Sequence, residues 1–149
     1  MTAYIDTSAL LRLVLREPGA LEELRSYDAL VSSELIAVES CRTIDRLRLQ
    51  GSLTTEEAAE RLKIVTEWLE AIDLVLLRPP VLSRASDPLP TPLGTLDAVH
   101  LATALIWRDR MGALPIIATH DTAFGLAART FGFDVLGIEE LKARLPATR

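Results

Sequence analysis

One cysteine, two lysines and two histidines are spread over 149 residues, and no long uninterrupted apolar run is present. Each shortage excludes something. Cys41 alone cannot form an intramolecular disulfide, which fits a reducing cytoplasm. No segment approaches the roughly 18 consecutive apolar residues of a membrane span. The run from Ala9 to Leu15 is broken by Arg12, follows Asp6 and lacks a basic stretch before it, so it does not read as a secretory signal. One cysteine and two separated histidines are too few for a structural zinc site. Basic residues are outnumbered by acidic ones, 16 to 21, and a net charge of −5 argues at face value against a nucleic-acid partner.

What is present reads as one globular domain over 1–149, long enough to bury a substantial core. Short β-rich runs alternate with longer helical patterns, the signature of an α/β chain with a mostly parallel sheet. Strands are expected at Thr2–Asp6, Ala29–Ser32, Asp73–Leu77, Pro115–Thr119 and Phe133–Leu136. Helices are expected at Ser8–Arg16, Ala20–Tyr27, Ser33–Gln50, Thr55–Ile72, Pro80–Ala85, Leu96–Arg110, Thr122–Phe131 and Glu139–Arg144. Ser32 or Ser33 is suited to start the third of these helices and Gly51 to end it. Thr54 or Thr55, followed by Glu56 and Glu57, opens the next with negative charge at its positive end. The short link between them predicts an antiparallel helical hairpin. Val38, Cys41, Ile44 and Leu47 would face Leu62, Val65, Leu69 and Ile72 across it.

Four acidic residues fall where expected strands give way to helices or just inside those helices: Asp6, Glu39, Asp97 and Asp121. Singly, each has an ordinary explanation. The three aspartates are good helix caps, and Glu39 has Arg42 and Thr43 at helical spacing. Together they sit where open α/β sheets collect ligands, at the carboxyl ends of the strands. Glu39 also interrupts the apolar stretch Leu35 to Val38, an unfavourable place for a carboxylate without a purpose. Hard oxygen ligands suit Mg²⁺ or Mn²⁺. Setting the four aside leaves a formal charge of about −1, and two divalent ions would neutralise the cluster, so an acidic chain does not exclude a metal-dependent nuclease.

The residues around these acids carry a family pattern. The stretches are Tyr4-Ile5-Asp6-Thr7-Ser8-Ala9-Leu10, Val31-Ser32-Ser33 leading to Glu39, Thr95-Leu96-Asp97-Ala98-Val99-His100-Leu101-Ala102-Thr103-Ala104, and Ala118-Thr119-His120-Asp121. In that order and spacing, from residue 2 to about residue 137, the chain resembles the PIN-domain ribonucleases, in particular the VapC-type toxins of toxin–antitoxin pairs. The resemblance implies an α/β/α sandwich with a five-stranded parallel sheet. It implies a metal-binding catalytic quartet of Asp6, Glu39, Asp97 and Asp121, with Ser8 and Thr119 as polar neighbours. It further implies Mg²⁺- or Mn²⁺-dependent cleavage of single-stranded or loop RNA, a homodimer, and a small VapB-like antitoxin.

Other residues have competing uses. Arg12 and Arg16, at i and i+4, are candidate phosphate contacts, as are Arg42 and Arg46; a solvated basic face is the alternative. His100, three residues after Asp97, is expected to pack between helices more than to bond a site carboxylate. His120 is expected to face solvent, and Trp68 and Trp107 to serve core or interface. A phosphoacceptor receiver would need a late lysine and an acid after its third strand, where this chain has Leu76-Leu77-Arg78 and only Lys63 and Lys142. A dehalogenase-type phosphatase would need Asp-x-Asp where Asp6-Thr7-Ser8 stands. The alternative of another class is a catalytically silent PIN-like module binding RNA or protein.

Overall fold

Along the first strand, side chains alternate between two apolar clusters: Ala3 and Ile5 enter one, Tyr4 the other. Such two-sided burial is the mark of a parallel sheet covered on both faces. The computed structural model describes residues 1–139 and has this architecture. Strands β1 (Thr2–Ile5), β2 (Ala29–Ser33), β3 (Ile72–Val75), β4 (Ile116–Ala118) and β5 (Val135–Leu136) form one sheet in the order β3-β2-β1-β4-β5. All four pairings are parallel.

Helices α1 (Thr7–Val14), α2 (Leu35–Leu49) and α3 (Thr55–Ala71) cover the face that carries Ala3, Ile5 and Leu30. Helices α5 (Thr95–Met111) and α6 (Thr122–Thr130) cover the face of Tyr4, Val31 and Ile117. The short α4 (Pro79–Ala85) packs Val81 against Val99 and Ala102 of α5. The helix α5 is buried without a break from Ala98 to Leu105, with His100 and Thr103 as its buried polar side chains, and lies inside the fold.

Several boundaries behave as their local chemistry dictates. Thr54 and Glu57 form a capping box, each side chain bonding the other's backbone N–H. Gly51 follows α2 with a φ of 80°, the left-handed turn that favours glycine. At the start of α2 the N-cap is Glu34, and Ser33 Oγ accepts the Leu35 N–H at 3.2 Å.

Other expectations are corrected. α1 ends at Val14, not Arg16, because Pro18 disfavours helical backbone at Glu17, and Arg16 turns to a φ of 56°. Ala20–Tyr27 is not an α-helix but a five-residue 3₁₀ turn, Glu22–Ser26, in which Leu21 and Leu24 are buried at the three-residue spacing that such a turn places on one side. β3 is Ile72–Val75, starting directly from α3, and Leu77 N–H leaves the sheet to bond the Glu34 carboxylate at 2.9 Å. The α2–α3 hairpin forms, but α2 buries Ile36, Ser40 and Ile44 at four-residue steps. Val38 and Cys41 are exposed instead. The helix expected at Glu139–Arg144 lies outside the described residues. Among the described residues no helix is long and apolar enough to cross a membrane.

Candidate active site

Strand order reverses between β1 and β4, since β2 and β3 extend the sheet one way and β5 the other. The crevice at the carboxyl ends of β1 and β4 is therefore the natural ligand site of this topology. Asp6 leaves the end of β1 and Asp121 follows β4 by three residues. Asp97 lies in the first turn of α5, and Glu39 is just over one turn into α2. All four sequence-predicted acids converge on this edge.

Asp6 is buried, and its side chain caps nothing. Its Oδ2 accepts the Ser8 hydroxyl at 2.7 Å and the Thr119 hydroxyl at 2.8 Å. Thr119 Oγ1 in turn accepts the Asp121 N–H at 3.0 Å, tying the end of β4 to the end of β1. Ser8 Oγ accepts the His120 N–H at 2.9 Å. Ser8 and Thr119 therefore lie beside Asp6 and orient it.

Glu39 pairs with neither Arg42 nor Thr43. Its Oε1 accepts the Thr7 hydroxyl at 2.9 Å and lies 2.6 Å from His100 Nε2. Burial works to raise this carboxyl, but the hydrogen bond and charge of His100, with Thr7, hold it below its ordinary value. Asp121 does act as a cap, its Oδ1 taking the Phe124 N–H at 3.0 Å at the start of α6. Asp97 has no hydrogen-bond partner among the described residues. Burial, then the charges of Asp121 and Asp6, push it up to about 6; Glu39 adds to the push and His100 opposes it.

One pattern runs through the four. On Asp6, Glu39 and Asp121 the protein's donors fall on a single carboxylate oxygen, and the other oxygen has no donor among the described residues. No Lys or Arg pairs with any of the four among the described residues; Arg42 and Arg48 bond Asp45 instead. Four hard-oxygen groups with uncommitted oxygens and no Lys or Arg partner among the described residues are a donor set that fits Mg²⁺ or Mn²⁺. As placed, no three His, Cys, Asp or Glu side chains among the described residues close around a common point.

Three other expectations change. His100 is not merely packed between helices: it is fully buried, bonded to Glu39 on one nitrogen and to the Tyr4 hydroxyl, 2.8 Å away, on the other. Its three-residue spacing from Asp97 was the signal available for this. His120 is half-buried and not freely exposed: Nδ1 bonds Gly137 O at 2.9 Å and Nε2 is buried with no partner among the described residues. Arg12 and Arg16 do not share a helix face, because α1 stops before Arg16; Arg12 lies 3.7 Å from Glu17, and Arg16 3.7 Å from Glu60. Thr7 and Tyr4, which hold Glu39 and His100, were not foreseen. Nothing in the spacing of Thr7 separates it from an ordinary helix-start threonine.

Comparison with known proteins gives the same picture. The PIN domain family profile matches residues 3–129. A curated relative from Mycobacterium tuberculosis, Ribonuclease VapC46, is 36% identical over 137 residues, covering 89% of this chain and 95% of its own. A second from that species, Ribonuclease VapC47, is 30% identical over 132 residues, covering 87% and 92%. With its parallel sheet in the order β3-β2-β1-β4-β5 and its four acids at the switch point, the chain belongs to the PIN-domain family.

Proposed function

We propose that this protein is a divalent-metal-dependent endoribonuclease that cuts single-stranded or loop RNA, and the toxin of a type II toxin–antitoxin pair. The observation that carries this reading is the convergence of four carboxylates with uncommitted oxygens and no Lys or Arg partner among the described residues. The names of the two relatives support the ribonuclease and toxin parts of it.

Asp6, Glu39, Asp97 and Asp121 would hold Mg²⁺ or Mn²⁺. Bound there, the ion supplies Lewis acidity toward a scissile phosphate and lowers the pKa of coordinated water. The chain's own residues prepare that place. Ser8 and Thr119 fix the Asp6 carboxylate, Thr7 and His100 fix Glu39, and the α6 N-terminus fixes Asp121. Asp97 must lose its proton for the cluster to act, and neutralising its neighbours favours that loss. Four negative charges would repel an RNA phosphate, so substrate entry also depends on their neutralisation.

The reading includes a small VapB-like antitoxin and a homodimer in the cytoplasm. Leu74, Leu76, Leu82 and Leu96 are exposed apolar side chains that such contacts would cover.

The test is incubation of purified, partner-free protein with structured and unstructured RNAs in Mg²⁺ or Mn²⁺. Cleavage should vanish with chelator and with Asp6→Asn. Equal cleavage by wild type, Asp6→Asn and Asp97→Asn would mark a contaminating nuclease. Absence of divalent-ion binding at millimolar concentration would point to a silent module.

A further inference from the structure

Below the carboxylates runs a buried hydrogen-bond chain that the metal reading does not require. The Ser33 N–H donates to the Tyr4 hydroxyl at 3.2 Å, and the Tyr4 hydroxyl lies 2.8 Å from His100 Nδ1. His100 Nε2 lies 2.6 Å from Glu39 Oε1, which also accepts from Thr7. Tyr4, Ser33 and His100 are all fully buried. The links come from four elements: β1, β2, α5 and α2.

Donor counting orders this chain. The Ser33 amide can only donate, so it occupies a lone pair of the Tyr4 oxygen. Ser32 and Thr103 spend their hydroxyl protons on the Ile5 and Val99 carbonyls. The contact between His100 Nε2 and a carboxylate oxygen requires a proton on Nε2, since two lone pairs would repel there. With that proton on Nε2, the other nitrogen, Nδ1, has the Tyr4 hydroxyl as its partner.

We infer that Tyr4 and His100 are positioning residues. Tyr4 holds the His100 ring through Nδ1 with Nε2–H turned to Glu39, and His100 ties down Glu39 Oε1 so that Oε2 is left for the ion. The inference rests on the proposed metal site for its purpose but not for its geometry. Partners that orient a metal ligand from behind are worth roughly 10–100-fold in metal affinity when removed. Because Glu39 stands on a different helix from Asp97, the His100–Glu39 contact also links α2 to α5 at the site.

Two measurements test it. Nitrogen chemical shifts of ¹⁵N-histidine in metal-free protein should show His100 protonated at Nε2. A ring with a bare Nε2 overturns the assignment. Mn²⁺ titration by calorimetry should show affinity falling about tenfold or more in Tyr4→Phe and His100→Leu, with recovery in His100→Gln, which again offers Glu39 an N–H. Wild-type affinity in Tyr4→Phe and His100→Leu overturns the positioning role. If His100→Leu does not fold, Tyr4→Phe carries the comparison, since it removes only the hydroxyl. Should the wild type neither bind Mn²⁺ nor cut RNA, the proposed function fails while the histidine spectrum still decides whether Nε2 carries the proton toward Glu39.

Discussion

Thr119 donates its hydroxyl to Asp6 Oδ2 at 2.8 Å across 113 positions of sequence, and both side chains are buried. The bond joins the carboxyl ends of the two central strands, β1 and β4. Thr119 also accepts the Asp121 N–H, so one hydroxyl serves two of the four acids. Thr119→Val keeps the shape and removes the hydroxyl. It leaves Asp6 without one of its two donors and the Asp121 amide without its acceptor, a loss of about 1–3 kcal/mol. Urea unfolding should show that loss, Mn²⁺ affinity should fall with it, and Thr119→Ser should restore both. Unchanged Mn²⁺ affinity in Thr119→Val would remove Thr119 from the site.

Asp97 gives the metal-free protein a distinctive pH dependence. Its folded pKa of about 6 lies above the ordinary 3.8, so the folded state binds the extra proton between those values. Its contribution to stability is complete below about pH 4 and is lost as pH rises through 6. Glu39, held below its ordinary value, works in the opposite sense; its contribution is present above that value and lost as pH falls through the folded pKa. In chelator, wild-type melting temperature should therefore decline from pH 4 to pH 7 relative to Asp97→Asn. At pH 7 Asp97→Asn should be the more stable protein by about 1 kcal/mol after solvent screening, while losing cleavage. Parallel melting profiles for the two proteins would refute the crowding of charge at Asp97.

The sequence revealed the sheet and the four acids because both depend on local pattern. The short apolar run Ala3-Tyr4-Ile5 marks a strand buried on both faces, and Asp6, Asp97 and Asp121 mark strand or helix ends. What stayed hidden depends on contacts between distant elements. Glu39 looks like half of a pair with Arg42, yet Arg42 goes to Asp45 and Glu39 to Thr7 and His100, 32 and 61 positions away. The apolar face of α2 was misassigned for a related reason. Ile44 is buried as expected, but Val38 and Cys41 fit a helical stripe with it as well as Ile36 and Ser40 do, and only packing against distant elements selects the second set. The end of α1 before Arg16, by contrast, has a local cause legible in the sequence, since Pro18 disfavours helical backbone at Glu17.

Asp121 has two duties that substitution can separate. Its Oδ1 caps α6 through the Phe124 N–H, and its charge bears on Asp97. Asparagine is an equally good cap, so Asp121→Asn should stay within about 0.5 kcal/mol of wild type. Asp121→Ala should lose about 1 kcal/mol. Both should lower Mn²⁺ affinity if the acid holds metal. Full activity in Asp121→Asn, with destabilisation only in Asp121→Ala, would reduce Asp121 to a cap and leave a site of three acids.

Gly137 supports the site from behind β5. Its φ is 101°, and a Cβ there would fall 2.4 Å from Thr119 O and 3.0 Å from Leu21 Cδ1. Its carbonyl accepts from His120 Nδ1 at 2.9 Å. The crowded atom is backbone, and Thr119 is already held by its N–H to Leu136 O, so nothing nearby yields cheaply. Gly51 offers the control, with a φ of 80° and open space around it. Gly51→Ala should cost only the left-handed backbone term, roughly 1 kcal/mol. Gly137→Ala should cost about 3 kcal/mol or more, because the steric clash adds to the same term. It should also weaken Mn²⁺ binding, since the displaced residue is the one that orients Asp6. Equal urea midpoints for the two variants would show that β4 has slack at Thr119, and that the Asp6 carboxylate is held less rigidly than its hydrogen bonds imply.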